Sequence, residues 1–103
     1  MDIRFSKTEL LEMFQEGLSL YDDIKLTSRD SSIVERMLTD RVAIARGFLA
    51  FCLGAKEQEG DDIVYEIIES RCPAAQSKTV IETLLRKYIV DGALLDWYAR
   101  HGI

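Results

Sequence analysis

Residues 32–54, SIVERMLTDRVAIARGFLAFCLG, decide how the rest of the chain reads. Ser32 and Glu35 form an S-x-x-E signal, in which hydroxyl and carboxylate each satisfy a backbone N–H at a helix start. Val34, Leu38, Val42, Ala45, Leu49 and Cys52 follow at 4-4-3-4-3 spacing, a single stripe that Ile33, Met37, Ile44, Phe48 and Phe51 widen. Gly54 supplies the C-terminal stop. On the opposite side Arg36 and Asp40 give way to the small residues Ala43, Gly47, Ala50 and Gly54. The second half of this helix therefore has no ordinary polar face. A helix apolar or small all round is buried, so the stretch predicts either the central helix of a bundle or a surface covered by another subunit.

Working outward, Ser6 and Glu9 open a first helix over about residues 7–22, whose stripe is Leu11, Phe14, Leu18 and Tyr21. Gly17 weakens it unless something packs closely there. After the charged connector KEQEGDD (56–62), Ile63, Val64, Ile67 and Ile68 recur at helical spacing and predict a short third helix, ended by Pro73. Ser77, or Thr79 with Glu82, starts the last helix. It carries one stripe of Ile81, Leu85, Tyr88, Gly92, Leu95 and Ala99, and a second of Val90, Leu94 and Trp97 about 180° away. The expectation is a single all-α domain over 1–103, a compact bundle of about four helices. Its long helices are a central one at roughly 32–53 and a C-terminal one at roughly 78–100.

Composition agrees with long regular elements: 103 residues, 48% hydrophobic, with six Gly and one Pro. Thirteen Lys and Arg against eighteen Asp and Glu give a net charge of −5, the wrong sign for a protein that grips phosphate backbones. The opening MDIRFSKTELLEMF has no seven-residue apolar core and does not read as a secretory signal. The most apolar window, 42–55, contains Arg46 and is shorter than the ~20 residues that span a bilayer. Cys52 and Cys72 are isolated in the sequence, and the expectation is two reduced thiols in a cytoplasmic protein that does not engage a membrane.

Catalysis needs a titratable group with a partner that tunes or orients it. The single histidine, His101, sits where a basic side chain caps a helix C-terminus. Cys52 lies on the main apolar stripe, and Cys72 before Pro73 has no base nearby in sequence. Glu66 and Glu69 could share a helix face, but the di-iron pattern also requires a histidine three residues after a glutamate. Glu57, Glu59, Asp61 and Asp62 lack calcium-loop spacing. GxxxxGK[ST], GxGxxG, HExxH and GxSxG are absent. No enzyme, cofactor, metal or small-molecule substrate is expected.

The alternative is a small DNA-binding regulator built from residues 62–103, in which SKTVIETLLRKYIVDGALLDWYARHGI supplies a recognition helix and a wing. Asp91-Gly92 would turn and 93–98 would be a strand. The five residues 72–76 leave no room for the extra helix that such a motif needs, and the acidic charge opposes it again.

What remains is apolar surface. Ala43, Gly47 and Ala50 on the long helix, and Val90, Leu94 and Trp97 on the last, form the candidate protein interface, since large exposed apolar patches mark partner sites. The expected partner is a second copy of the chain or another assembly protein. On this reading Trp97→Asp yields a folded monomer.

Two segments carry a family resemblance. SRDSSIVERMLTDRVAIARGFLAFCLG (28–54) resembles the opening of the small head–tail connector (adaptor) proteins of tailed bacteriophages, in which an acidic residue precedes a long helix ending in glycine. TVIETLLRKYIVDGALLDWYARHGI (79–103) is similar to their closing helix with its aromatic pair, here Trp97-Tyr98. The resemblance implies a mostly helical virion subunit, made in the host cytoplasm, that forms a ring beneath the portal. Such a ring needs two unlike surfaces on each protomer. The chain differs from the pattern by its extra N-terminal helix and by having no obvious β-hairpin between its long helices.

Overall fold

The helix at the centre of the molecule is the last one. The computed structural model describes residues 1–19, 26–72 and 77–101. In chain order these form β1 (Asp2–Ser6), α1 (Lys7–Ser19), α2 (Ser28–Phe48), β2 (Gln58–Glu59), β3 (Asp62–Glu66) and α3 (Lys78–Arg100). Short 3-10 turns lie at Ala50–Cys52 and Glu69–Arg71. The strands make an antiparallel sheet in the order β1-β3-β2. The all-α, four-helix expectation is thus corrected to a mixed fold of three helices and a small sheet.

The expected third helix is β3. Ile63, Val64, Ile67 and Ile68 are all β-branched, a class that packs well on a pleated surface and loses side-chain freedom in a helix. The connector ahead of them folds into a hairpin: Glu59 pairs with Asp62 across Gly60 and Asp61, and Gly60 takes a φ of +62°. Two-residue hairpin loops favour glycine in that conformation. A hairpin therefore does stand between α2 and α3. β1 pairs with β3 in the register Ile3 to Tyr65 and Phe5 to Ile63. Ile3 and Phe5 are buried and Arg4 is exposed, the period-2 pattern of a strand with one face on the core.

Helix starts follow the side-chain caps. Ser6 Oγ accepts from the Glu9 N–H at 3.0 Å, and Ser77 Oγ accepts from Val80 at 3.2 Å, as expected. α2 begins earlier than Ser32. Thr27 and Asp30 form the capping box, with Thr27 Oγ1 accepting from the Asp30 N–H and the Asp30 carboxylate accepting from the Thr27 N–H, each at 3.2 Å. α2 also stops at Phe48 rather than near Leu53. The expected end of the first helix at Asp22, and Pro73, lie outside the described residues.

α1 and α2 flank α3 on different sides. Glu9 meets Arg86 and Gly17 meets Leu94, so α1 runs parallel to α3. Arg41 meets Asp96 and Phe48 meets Tyr88, so α2 runs antiparallel to it. A Cβ on Gly17 would stand 2.7 Å from Leu94 Cδ1, which is the close packing that keeps a glycine in the middle of α1. The second stripe of α3 is consequently covered, with Val90 and Trp97 buried, while the first is covered only in part: Leu85 and Gly92 are buried and Leu95 is exposed. Phe14 meets Trp97 edge-on at 6.0 Å, and Phe5 meets Tyr65 at 6.1 Å. The Tyr65 hydroxyl donates to the Val42 carbonyl of α2 at 2.7 Å, tying the sheet to the helices. Among the described residues no helix is long and apolar enough to cross a membrane.

Candidate interaction face

The six residues predicted to form an interface part company. Val90 and Trp97 are buried, and Leu94 is half-buried against the same core over Gly17, so this patch belongs to the chain's own interior. The reason is the parallel α1, which covers the second stripe of α3. Ala43, Gly47 and Ala50 are exposed, and a Cβ on Gly47 would have nothing within 4 Å.

Beside that small-residue row stands a ridge that the sequence reading had assigned to the buried side of α2. Ile44, Phe48 and Phe51 are exposed, Phe48 at 70% and Phe51 at 60%. Across the α2–α3 seam Val80, Leu84 and Leu95 are exposed as well, Leu84 at 62% and Leu95 at 68%. Phe48 leans edge-on to Tyr88 at 6.5 Å. Between the helices lies an almost wholly apolar groove of about 310 Å³, lined by Ala45, Phe48, Leu49, Ile81, Leu84, Leu85 and Tyr88. A second, more polar hollow continues along the seam past Arg41, Asp91, Gly92 and Leu95, sharing Leu84 and Tyr88 with the first.

This face stays open because of how the helices are stacked. α1 and β1 pack on α3 from one side, α2 packs on it from another, and among the described residues nothing crosses the outer seam. The radius of gyration, 14.5 Å, exceeds the ~13 Å of a compact 100-residue domain. An elongated molecule has less interior in which to hide apolar side chains. Arg41 and Asp96 fasten the seam at one end through a two-point ion pair, Nε to Oδ2 at 2.9 Å and Nη2 to Oδ1 at 2.7 Å. That hydrogen-bonded pairing holds the Asp96 carboxyl below its usual pKa and Arg41 above its own.

The chemically suggestive residues are occupied structurally. His101 Nδ1 lies 2.8 Å from the Trp97 carbonyl, and its ring stacks on Trp97 at 4.0 Å. Glu66 stands on β3, with its carboxylate where a Cβ on Gly54 would fall, and Glu69 lies in the following turn, so the two share no helix face. The acidic connector joins an exposed mesh. Lys56 bridges Asp2 and Glu59, and Arg4 also meets both carboxylates. Lys56 lowers the pKa of Asp2, and Arg4 followed by Lys56 lowers that of Glu59. No group of three or more His, Cys, Asp or Glu among the described residues is placed to hold a metal ion. The wing of the DNA-binding alternative is not formed, because 93–98 is an uninterrupted part of α3.

The signal for this face was present in the sequence as the extra width of the α2 stripe. A single helix neighbour covers only part of so broad an apolar surface, and the ridge 44/48/51 is the part left over. No family model, no curated protein and no solved structure matches the chain.

Proposed function

We propose that the chain is a non-enzymatic assembly module that pairs with a second copy of itself through the outer α2–α3 seam. One observation carries this reading. Ile44, Phe48, Phe51, Val80, Leu84 and Leu95 are large apolar side chains exposed together, around an apolar groove. Contiguous patches of this kind mark partner sites.

The shape of the face favours a like partner. The ridge of Ile44, Phe48 and Phe51 runs alongside the trough of Ala43, Gly47 and Ala50, both starting on α2 and continuing into the 3-10 turn that follows it. A two-fold axis near Gly47 lays the ridge of each copy into the trough of the other, which is the self-complementarity of an isologous interface. A closed ring instead needs two unlike faces on each protomer. The second face expected for it is packed into the core, with Val90 and Trp97 buried and Leu94 half-buried. The virion-connector version of the function therefore rests on the sequence resemblance alone, and a two-fold dimer is the assembly proposed.

Sedimentation equilibrium tests the reading. The wild-type chain is expected to dimerise. Gly47→Glu and Phe48→Asp, both on exposed positions, are expected to remain folded and to weaken the dimer by ~30-fold or more, the ~2 kcal/mol loss of an interface anchor. A wild-type chain that is monomeric at every concentration would overturn the proposal.

A further inference from the structure

Cys52 and Cys72, twenty residues apart and each isolated in the sequence, are brought to the same residue, Ile68, by the fold. Beyond α2 the chain turns through Ala50–Cys52 and runs antiparallel to the end of β3. Leu53 bridges to Ile67, the Gly54 N–H donates to the Glu66 carbonyl at 2.8 Å, and the Ile68 N–H donates to the Cys52 carbonyl at 2.7 Å. The turn Glu69–Arg71 then doubles back. The Arg71 N–H donates to the Ile68 carbonyl at 2.9 Å and the Cys72 N–H to the Glu69 carbonyl at 3.1 Å, which brings Cys72 Sγ to 3.6 Å from that same Ile68 carbonyl. Ile68 thus holds the Cys52 backbone with its N–H and the Cys72 thiol with its carbonyl. The Cys52 thiol donates to the Leu49 carbonyl at 3.3 Å, so each thiol is held by a backbone carbonyl beside the same Ile68 turn. Both cysteines are free, Cys52 buried and Cys72 half-buried.

We propose that Cys52 and Cys72 are a reversible thiol–disulfide pair that reacts with small-molecule disulfides of the glutathione type. The Cys72 thiolate, as the more exposed sulfur, attacks one sulfur of the oxidant. The oxidant's S–S bond breaks, and one small thiol leaves with a proton from water. Cys52 then gives its proton to solvent and attacks the Cys72 sulfur of the mixed disulfide, expelling the second small thiol. Two protein thiols are oxidised to one disulfide, and one small-molecule disulfide is reduced to two thiols.

The order of events follows from burial. Desolvation, and then the neighbouring Cys72 thiol, push the Cys52 thiol above its ordinary pKa. Cys52 is therefore the resolving group, and the second step accelerates with rising pH. The loop closed by the bond contains the whole β2–β3 hairpin. Oxidation would fasten the base of that hairpin to the end of α2, close to Phe51.

The experiment is incubation of the reduced, folded chain with glutathione disulfide, followed by intact-mass measurement and peptide mapping. The wild type is expected to lose two hydrogens, to carry no glutathione, to yield a linked Cys52–Cys72 peptide and to revert with dithiothreitol. Cys52→Ser is expected to trap one glutathione on Cys72, and Cys72→Ser to remain unmodified. The wild-type measurement stands even if a variant fails to fold. A wild type that keeps glutathione on Cys72 with Cys52 free, stays unmodified, or links only between chains would overturn the proposal.

Discussion

Gly92 lies directly beneath the stem of Arg41: a Cβ at Gly92 would stand 2.7 Å from both Cδ and Nε of that arginine. The guanidinium is held at its far end by Asp96, through bonds of 2.9 and 2.7 Å, and stands 5.8 Å from the centre of the Tyr88 ring. A glycine in the middle of α3 is thus the floor of the ion pair that joins α2 to α3.

Gly92→Ala sets two effects against each other. Alanine raises helix propensity by about 1 kcal/mol, but the added methyl displaces a side chain that is fixed at its tip, and charge-assisted bidentate bonds are the stronger kind. The displacement is expected to win, with a net loss of about 1 kcal/mol and a Tm lowered by ~4–8 °C. In an Asp96→Asn background Arg41 can swing away, and the same substitution is expected to become neutral or stabilising. Thermal melts of the four proteins measure the coupling.

The same pair sets part of the acid limb. Arg41 lowers the Asp96 pKa, and the Thr27 backbone N–H followed by its hydroxyl lowers that of Asp30. A carboxyl with a depressed folded pKa contributes stability that is present above the unfolded value near 3.9 and is lost as pH falls through the folded value. Stability is therefore expected to hold down to about pH 4 and then decline. Asp96→Asn should flatten that decline. Because the carboxylate is partly exposed, the effect is expected to stay below ~1 kcal/mol. Denaturant titrations at stepped pH check it.

Tyr65 governs the alkaline side. Its ring is fully buried, its hydroxyl donates to the Val42 carbonyl, and burial pushes its pKa up to about 12. The unfolded phenol ionises near 10. Stability from this group is thus present below pH 10 and is lost as pH rises from 10 towards 12, a total of about 2–3 kcal/mol. Ultraviolet titration should show a tyrosine step near pH 12. Tyr65→Phe is expected to remove the late step and to cost about 1 kcal/mol at neutral pH through the lost hydrogen bond.

How much of this was legible in the sequence depended on whether the signal was local. Ser6 with Glu9 and Ser77 with Val80 are caps closed within one turn, and the α2 stripe of Val34, Leu38, Val42 and Ala45 is buried as its spacing requires. The α2 start differs because two S/T-x-x-D/E signals stand five residues apart, at 27–30 and 32–35, and the Thr27–Asp30 box is the one that forms. β1 was missed for another reason. DIRFS is too short to identify alone, and it becomes a strand only because β3, about sixty residues on, offers an edge. With 63–68 read as helical, the sequence offers β1 no partner. The interface candidates divided for a related reason: periodicity shows that a helix has two apolar sides, but not which of them a neighbour covers.

Trp97 and Leu84, both on α3, separate those two cases. Trp97 is 3% exposed, edge-on to Phe14 and stacked under His101. Trp97→Asp removes a large buried ring and leaves an unpaired carboxylate in its place. The deletion alone costs about 3–5 kcal/mol and the buried charge adds to it, against a total stability of roughly 5–15 kcal/mol for a domain. The variant is expected to be largely unfolded rather than a folded monomer. Leu84→Asp acts on a side chain that faces solvent, so its effect on folding is expected to lie within ~0.5 kcal/mol, while its position on the seam weakens the dimer. Circular dichroism melts paired with sedimentation read both quantities. If Trp97→Asp stayed folded and Leu84→Asp unfolded the chain, the assignment of α3's covered and open sides would be reversed.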